Sequence, residues 1–143
     1  QIATAALAKL NTDLVKTLTN TTVSSLQPTQ ISALSTDQIS ALKTTSLTTG
    51  VLNSLTTANI NVLTSSTLNA LSSAQISGID ATALKKLSTT TVAALSNTAI
   101  KNLTTTQVQA LTTDQVVALT TAQINAMSTA QFASLSADQL KVL

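Results

Sequence analysis

Apolar residues recur along this chain of 143 residues with a period of eight. The pattern is clearest near the C-terminus, where each block of eight ends in Leu or Met and carries a second apolar residue three positions earlier. This frame extends without interruption over residues 48–143, and an earlier block of octads covers 3–42. Only residues 43–47 break the frame. A repeat that covers the chain almost completely predicts a single solenoid over 1–143, in which each octad packs on its neighbours.

Three features of the octad predict a short α-helix. The first position is Ser, Thr, Asn or Asp in fifteen of seventeen octads, and the fourth is Gln in eight, which is the capping-box spacing. The apolar last residue of one octad and the apolar fifth residue of the next have the spacing of a hydrophobic staple. Pro28 falls at the first helical position, where proline is favoured. We therefore predict an all-α solenoid of short two-turn helices, one per octad.

The shape of the solenoid follows from the caps. A cap residue leaves helical geometry, so the chain bends every eight residues and successive helices wind into a superhelix. Three or four helices per turn fit the pattern equally. The alternative is a β-solenoid, because Thr, Val and Ile favour strands. The apolar spacing is not the alternation of a strand, however, and two glycines are few for tight corners.

The irregular segment 43–47 has two interpretations. It is either a shortened repeat, or it continues into the next octad as one longer helix over 43–55. Gly50 weakens the second interpretation because glycine destabilises a helix interior.

Composition narrows the function. The chain has no His and no Cys, which predicts no metal site of the usual zinc type, no cofactor and no Cys or Ser-His nucleophile. We predict that the protein is not an enzyme. A net charge of +2 disfavours nucleic-acid binding, which needs clustered cations. No apolar run reaches the roughly 18 residues of a membrane-spanning helix, so we predict no membrane insertion.

The repeat also assigns roles to individual residues, clearest in the C-terminal octads. The predicted helix caps are Thr104, Thr112, Thr120 and Ser128. The predicted core anchors are Leu111, Val116, Leu119, Ile124, Met127, Phe132 and Leu135. Apolar residues without a capping repeat predict either that the repeat chain continues or that copies stack head to tail. The residues expected at an end-to-end contact are Ile2, Leu7, Leu140, Val142 and Leu143.

The octad Ser/Thr-Thr-x-Gln-Val/Ile-x-Ala-Leu, clearest at 28–42 and 104–140, resembles repeats of long Ser/Thr/Ala/Gln-rich bacterial surface proteins of the adhesin-like kind. The resemblance implies a structural or adhesive role outside the cell. The chain begins with Gln1, which fits a removed leader or a position inside a longer protein. We therefore expect a non-catalytic subunit or segment of an extracellular filament, sheath or adhesin stalk, with further copies of itself as partner.

Two other functions remain open. A solenoid could present a groove to a protein or to surface glycans, although the aromatic and charged residues typical of binding hot spots are scarce. Regular surface threonines would also suit ice binding, but the caps already explain them.

Overall fold

A computed structural model describes residues 3–143. Over that range the chain forms seventeen α-helices and one short 3-10 helix, and no strand. The all-α prediction is confirmed, and the β-solenoid alternative is wrong. The α-helices are α1 (Thr4–Leu7), α2 (Thr12–Thr17), α3 (Asn20–Ser24), α4 (Pro28–Ser32), α5 (Thr36–Ser40), α6 (Thr49–Ser54), α7 (Thr57–Asn61), α8 (Ser65–Asn69), α9 (Ser73–Ser77), α10 (Ala81–Lys85), α11 (Thr89–Ala93), α12 (Asn97–Lys101), α13 (Thr105–Ala110), α14 (Thr113–Val117), α15 (Thr121–Ala126), α16 (Thr129–Ala133) and α17 (Ala137–Lys141).

Each octad of the sequence corresponds to one helix. The first residue of the octad is the N-cap and has an extended backbone, as at Thr112 with φ −71° and ψ 159°. Four to six helical residues follow. A bond from the last residue back to the fifth then closes the octad, for example from the N–H of Leu119 to the carbonyl of Val116 at 3.1 Å. Helices this short are unstable alone in water, so packing between octads must stabilise them.

The helices wind into a superhelix in which helices pack on others three and four octads away. Helix α10 packs on α13 and α12 on α15, three octads along, while α6 packs on α10 and α8 on α12, four octads along. One superhelical turn therefore contains between three and four helices. The fifth and eighth residues of the octads form one continuous aliphatic core along the solenoid. No helix of the described range is long and apolar enough to cross a membrane.

The segment 43–47 is a shortened repeat and does not join the following helix. Thr44–Ser46 form a 3-10 helix that packs on α3, and Leu47 is completely buried. Long-range hydrogen bonds show that this segment takes the position of one repeat in the superhelix. The fourth residue of an octad usually bonds to a carbonyl 28 residues earlier, as Gln107 does to Ile79. Across the short segment the same bond, from Asn59 to Leu34, spans 25 residues.

Candidate functional site

The fourth-position glutamines fasten one turn of the solenoid to the turn before it. In all eight octads that have one, the glutamine Oε1 accepts the backbone N–H of its own N-cap at 2.7–2.9 Å. The side-chain nitrogen donates to backbone carbonyls of the helix four places earlier. We call the glutamines for which the structure describes both contacts the Gln clamps; they are Gln38, Gln75, Gln107, Gln115, Gln123, Gln131 and Gln139.

Gln115 illustrates the geometry. Its Nε2 donates to the carbonyls of Leu84 and Leu87, at 2.9 and 2.8 Å, and the side chain is 2% exposed. Both carbonyls lie at the C-terminal end of an octad, where a helix leaves backbone acceptors unpaired. The two hydrogens of an amide nitrogen suit two such acceptors, and the amide oxygen remains for the N-cap. A single side chain thus satisfies polar groups at the ends of two different helices.

Asparagine at the sixth octad position makes a second kind of hydrogen-bonded contact between turns. Asn53, Asn61 and Asn69, which we call the Asn bridges, occur in three consecutive octads. Each donates its Nδ2 to a carbonyl three octads ahead, at 2.8–3.2 Å. Each accepts at Oδ1 the N-cap N–H four octads ahead, at 2.6–2.8 Å.

The Asn bridges contact three octads that lack a Gln clamp. The N-caps that they contact are Asp80, Ser88 and Ser96, whose octads carry Ala83, Thr91 and Ala99 at the fourth position. In these three octads, which have no glutamine, the N-cap N–H is therefore satisfied from the preceding turn.

Lysine replaces the other half of the clamp in the octad that contains Ala83. The Nζ of Lys86 donates to the carbonyl of Leu55, four octads earlier, at 2.8 Å. This is the carbonyl that a glutamine at position 83 would reach by the spacing of the Gln clamps. Over residues 3–143, no buried side-chain nitrogen or oxygen lacks a hydrogen-bond partner.

The four predicted cap residues are N-caps in the structure. Thr104, Thr112, Thr120 and Ser128 each accept the backbone N–H of the glutamine three residues later, at 3.2 Å. Asp80 also stands at an N-cap, but its side chain makes no cap hydrogen bond.

Among the predicted core anchors, Leu111, Val116, Leu119 and Leu135 are buried, whereas Ile124 and Met127 are partly buried at the edge of the core. The prediction for Phe132 is wrong, because this ring is 44% exposed. The fifth residue of an octad is covered by the following turn. It is buried in every octad from Leu7 to Val116, but within the described range no turn follows Phe132.

The residues predicted for an end-to-end contact are not all at the surface. Ile2 lies outside the described residues. The prediction that Leu7 lies at an end-to-end contact is wrong, because Leu7 is completely buried in the core and its helix α1 packs on α4. Leu140, Val142 and Leu143 are 45%, 38% and 52% exposed, respectively, and form an apolar surface on the last turn.

An open groove of about 220 Å³ accompanies this surface and is lined by Val116, Val117, Leu119, Thr121, Ile124, Val142 and Leu143. Over residues 3–143 there is no group of three or more metal-ligating side chains. The described residues thus form two candidate functional features, which are the series of amide contacts between turns and the apolar surface on the last turn.

The contacts between turns were not predicted from the sequence. The octad pattern indicates glutamine as half of a capping box but not as a donor to a second helix. A signal was present, since glutamine occupies the fourth position in eight of seventeen octads, whereas Glu, the other capping-box residue, occupies none. The run of asparagines eight residues apart, at 53, 61 and 69, was a second signal.

Comparison with known proteins agrees with the repeat. Residues 84–121 and 117–143 match the sequence profile of the ALTTAQ repeat family. Residues 118–123 read Ala-Leu-Thr-Thr-Ala-Gln, so this signature contains the end of one octad and the N-cap and Gln clamp of the next. Neither the curated proteins nor the solved structures contain a significant match to the chain. The chain is therefore a tandem-repeat protein with an all-helical solenoid fold, and its C-terminal part is similar to the ALTTAQ repeat.

Proposed function

We propose that this chain is a non-catalytic structural segment of an extracellular filament, sheath or adhesin stalk, and that it assembles end to end. The observation that supports this proposal is the unbroken series of Gln clamps in the last five octads. Each clamp joins a helix to the one four places before it, so the clamps connect successive turns along the solenoid.

This connection suits a load-bearing rod. With three to four helices per turn, several clamps act side by side between two turns. In the last five octads each clamp is buried, as for Gln115 and Gln123 at 2% and 1% exposure, so water competes poorly for its hydrogen bonds. An axial pull must break several shielded bonds together before two turns separate.

The lateral surface also fits a structural role. It is covered mainly by Ser, Thr and Asn, and the two ion pairs of the described residues, Asp13–Lys16 and Asp138–Lys141, are exposed. A neutral, hydroxyl-rich surface without large charged patches stays solvated without attracting particular partners.

Immunogold electron microscopy of intact cells that produce the protein tests this proposal. Antibodies against the chain should label structures outside the cell without permeabilisation, and pre-immune serum should not. Label that appears only inside cells after permeabilisation would overturn an extracellular structural role.

The alternative is a glycan-binding module, and one observation favours it. A polar surface groove lies between α12 and α15 and includes Asn97, Lys101 and Asn125. Amide and ammonium groups of this kind hydrogen-bond to sugar hydroxyls. Calorimetric titration with purified surface polysaccharide tests this function. Saturable heat that disappears in Asn97→Ala and Asn125→Ala would support the alternative, and the absence of heat would reject it.

A further inference from the structure

Three consecutive octads in the interior of the chain neither contain a Gln clamp nor contact one. They are residues 48–71, which form α6, α7 and α8, and we call them the unclamped section. Glutamine is absent from their fourth positions and from those of the octads four places ahead, whose clamps would reach them; the residues there are Val51, Asn59, Thr67, Ala83, Thr91 and Ala99. Residues 80–103 contrast with this section, because Gln115, Gln123 and Gln131 donate to their carbonyls.

Exposed hydrogen bonds join the unclamped section to the next turn. The Asn bridges on its three helices accept the N–H groups of Asp80, Ser88 and Ser96, and all three hydrogen bonds are exposed to solvent. In the clamp of Gln115, by contrast, both bonds to the preceding turn are buried. Water competes for an exposed hydrogen bond and competes poorly for a buried one. An Asn bridge therefore holds two turns together less strongly than a Gln clamp does.

A cavity in the aliphatic core lies at the same junction. It measures about 20 Å³, and its apolar wall includes Leu68, Leu71 and Ala99. Gln115 donates to carbonyls 31 and 28 residues earlier. The same spacing leads from position 99 to Leu68 and Leu71. The cavity thus lies where a clamp is missing, and the side chains around it lose packing contacts.

Glycine weakens a helix of the same section. Gly50 lies inside α6, where glycine is less favourable than alanine. A Cβ at this position would lie 3.9 Å from the Oγ1 of Thr48, an ordinary van der Waals distance, so packing does not require glycine. Exposed bonds, a core cavity and a glycine without a packing role therefore coincide in the unclamped section.

We propose that the unclamped section opens locally while residues 80–103 stay folded. Each repeat of a solenoid contacts only its neighbours, so one section can open without the rest. Its helices are too short to persist once the contacts between turns are lost, and opening converts them into flexible chain. In the load-bearing rod proposed above, this section extends before the clamped turns separate. That use rests on the proposed structural function, whereas the local opening does not.

Native-state hydrogen exchange of the complete chain, followed by mass spectrometry of its peptides, tests the local opening. After correction for intrinsic rates, amides of 48–71 should exchange at least about tenfold faster than those of 80–103, which is the effect of about one net hydrogen bond. Both stretches contain three helices of five or six residues in the interior of the chain, so the chain ends do not enter the comparison. Equal protection of the two stretches, or slower exchange in 48–71, would overturn the proposal.

An added clamp should protect α8. Ala99→Gln places an amide beside the carbonyls of Leu68 and Leu71, and it should slow exchange in 64–71 about tenfold. Thr98→Gln is the matched control, because Thr98 is exposed on the same helix α12. It should leave exchange in 64–71 within about twofold of the unmodified chain. The proposal is wrong if the two variants exchange alike in 64–71.

Removing a clamp provides a second variant that needs no new packing. Gln131→Ala takes the donor from the carbonyls of Ile100 and Leu103. Exchange in 96–103 should then rise toward the rate of 64–71, and an unchanged rate would contradict the role given to the clamps. These rates do not depend on where the protein resides. Immunogold labelling confined to the cell interior would refute the proposed function and leave the exchange difference in place.

Discussion

Replacing Gln115 by alanine should destabilise the solenoid strongly, because it removes one buried side-chain amide with partners on two helices. The substitution removes the acceptor for Thr112 N–H and the donor to the carbonyls of Leu84 and Leu87. The Leu84 carbonyl keeps a bond from the N–H of Leu87, at 3.0 Å. The buried carbonyl of Leu87 and the part-buried N–H of Thr112 then lack partners, at about 1–3 kcal/mol each. We expect the free energy of unfolding to fall by about 2–6 kcal/mol.

Urea unfolding followed by circular dichroism at the helical band measures this change. Fluorescence is unsuitable because Phe132 is the sole aromatic residue. Gln109→Ala is the matched control, since Gln109 is an exposed glutamine on the neighbouring helix α13. Its side chain points to solvent, so the control should stay within about 0.5 kcal/mol of the unmodified chain.

An introduced asparagine should rescue the Gln115→Ala variant. Lys85 has the same octad position as Asn53, and the octad of Gln115 lies four places ahead of it. Lys85→Asn should therefore offer its amide oxygen to Thr112 N–H, as Asn53 does to Asp80. We expect a recovery of about 1 kcal/mol in the Gln115→Ala background and less in the unmodified chain.

A Gln115→Ala variant that is no less stable than Gln109→Ala would refute the role assigned to the Gln clamps. In that case water would satisfy the freed groups, and the clamps would not join the turns. Equal effects of Lys85→Asn in both backgrounds would show that asparagine and glutamine do not serve the same N–H.

Three further predictions use the same urea measurement. Gly78→Ala should destabilise the chain by about 1–3 kcal/mol, because the added Cβ would collide with α6. Gly50→Ala has free space and should stabilise its helix by up to about 1 kcal/mol. Equal effects of the two substitutions on the free energy of unfolding would contradict the close packing at Gly78. Thr112→Ala should cost about 1 kcal/mol through loss of the N-cap, and Thr113→Ala, on the exposed first turn, should cost less. Asp138→Asn should change stability by less than about 0.5 kcal/mol, since its ion pair is exposed, and a larger loss would reveal a contact beyond that pair.

Local chemistry made the helices predictable from sequence. The capping box of Thr112 and Gln115 lies within four residues, so the frame of the octad and the site of each bend could be derived from spacing alone. The aliphatic core followed from the same frame. The helix bounds were less accurate, because the closing bond at the end of each octad shortens the helix to four to six residues.

The contacts between turns depend on how many helices complete one turn, and the octad does not contain that information. The partners of Gln115 are 28 and 31 residues away, so they could not be named before the superhelix was known. The exposure of Phe132 was unpredictable for the same reason. Its octad position is buried elsewhere, and only the three-dimensional order shows which turn should cover it.

The pairing of Asn bridges with glutamine-free octads restricts how the repeat array can change during evolution. A Gln clamp carries its own N-cap contact, and its amide nitrogen donates to backbone carbonyls, which every octad provides. An octad with glutamine can therefore be gained or lost by recombination with little effect on its neighbours. Asn53 instead contacts an octad exactly four places ahead, that of Asp80. Insertion of one octad between them would leave both groups mispaired. The middle of the array should therefore have a fixed repeat number, while the glutamine-rich part is free to vary in length.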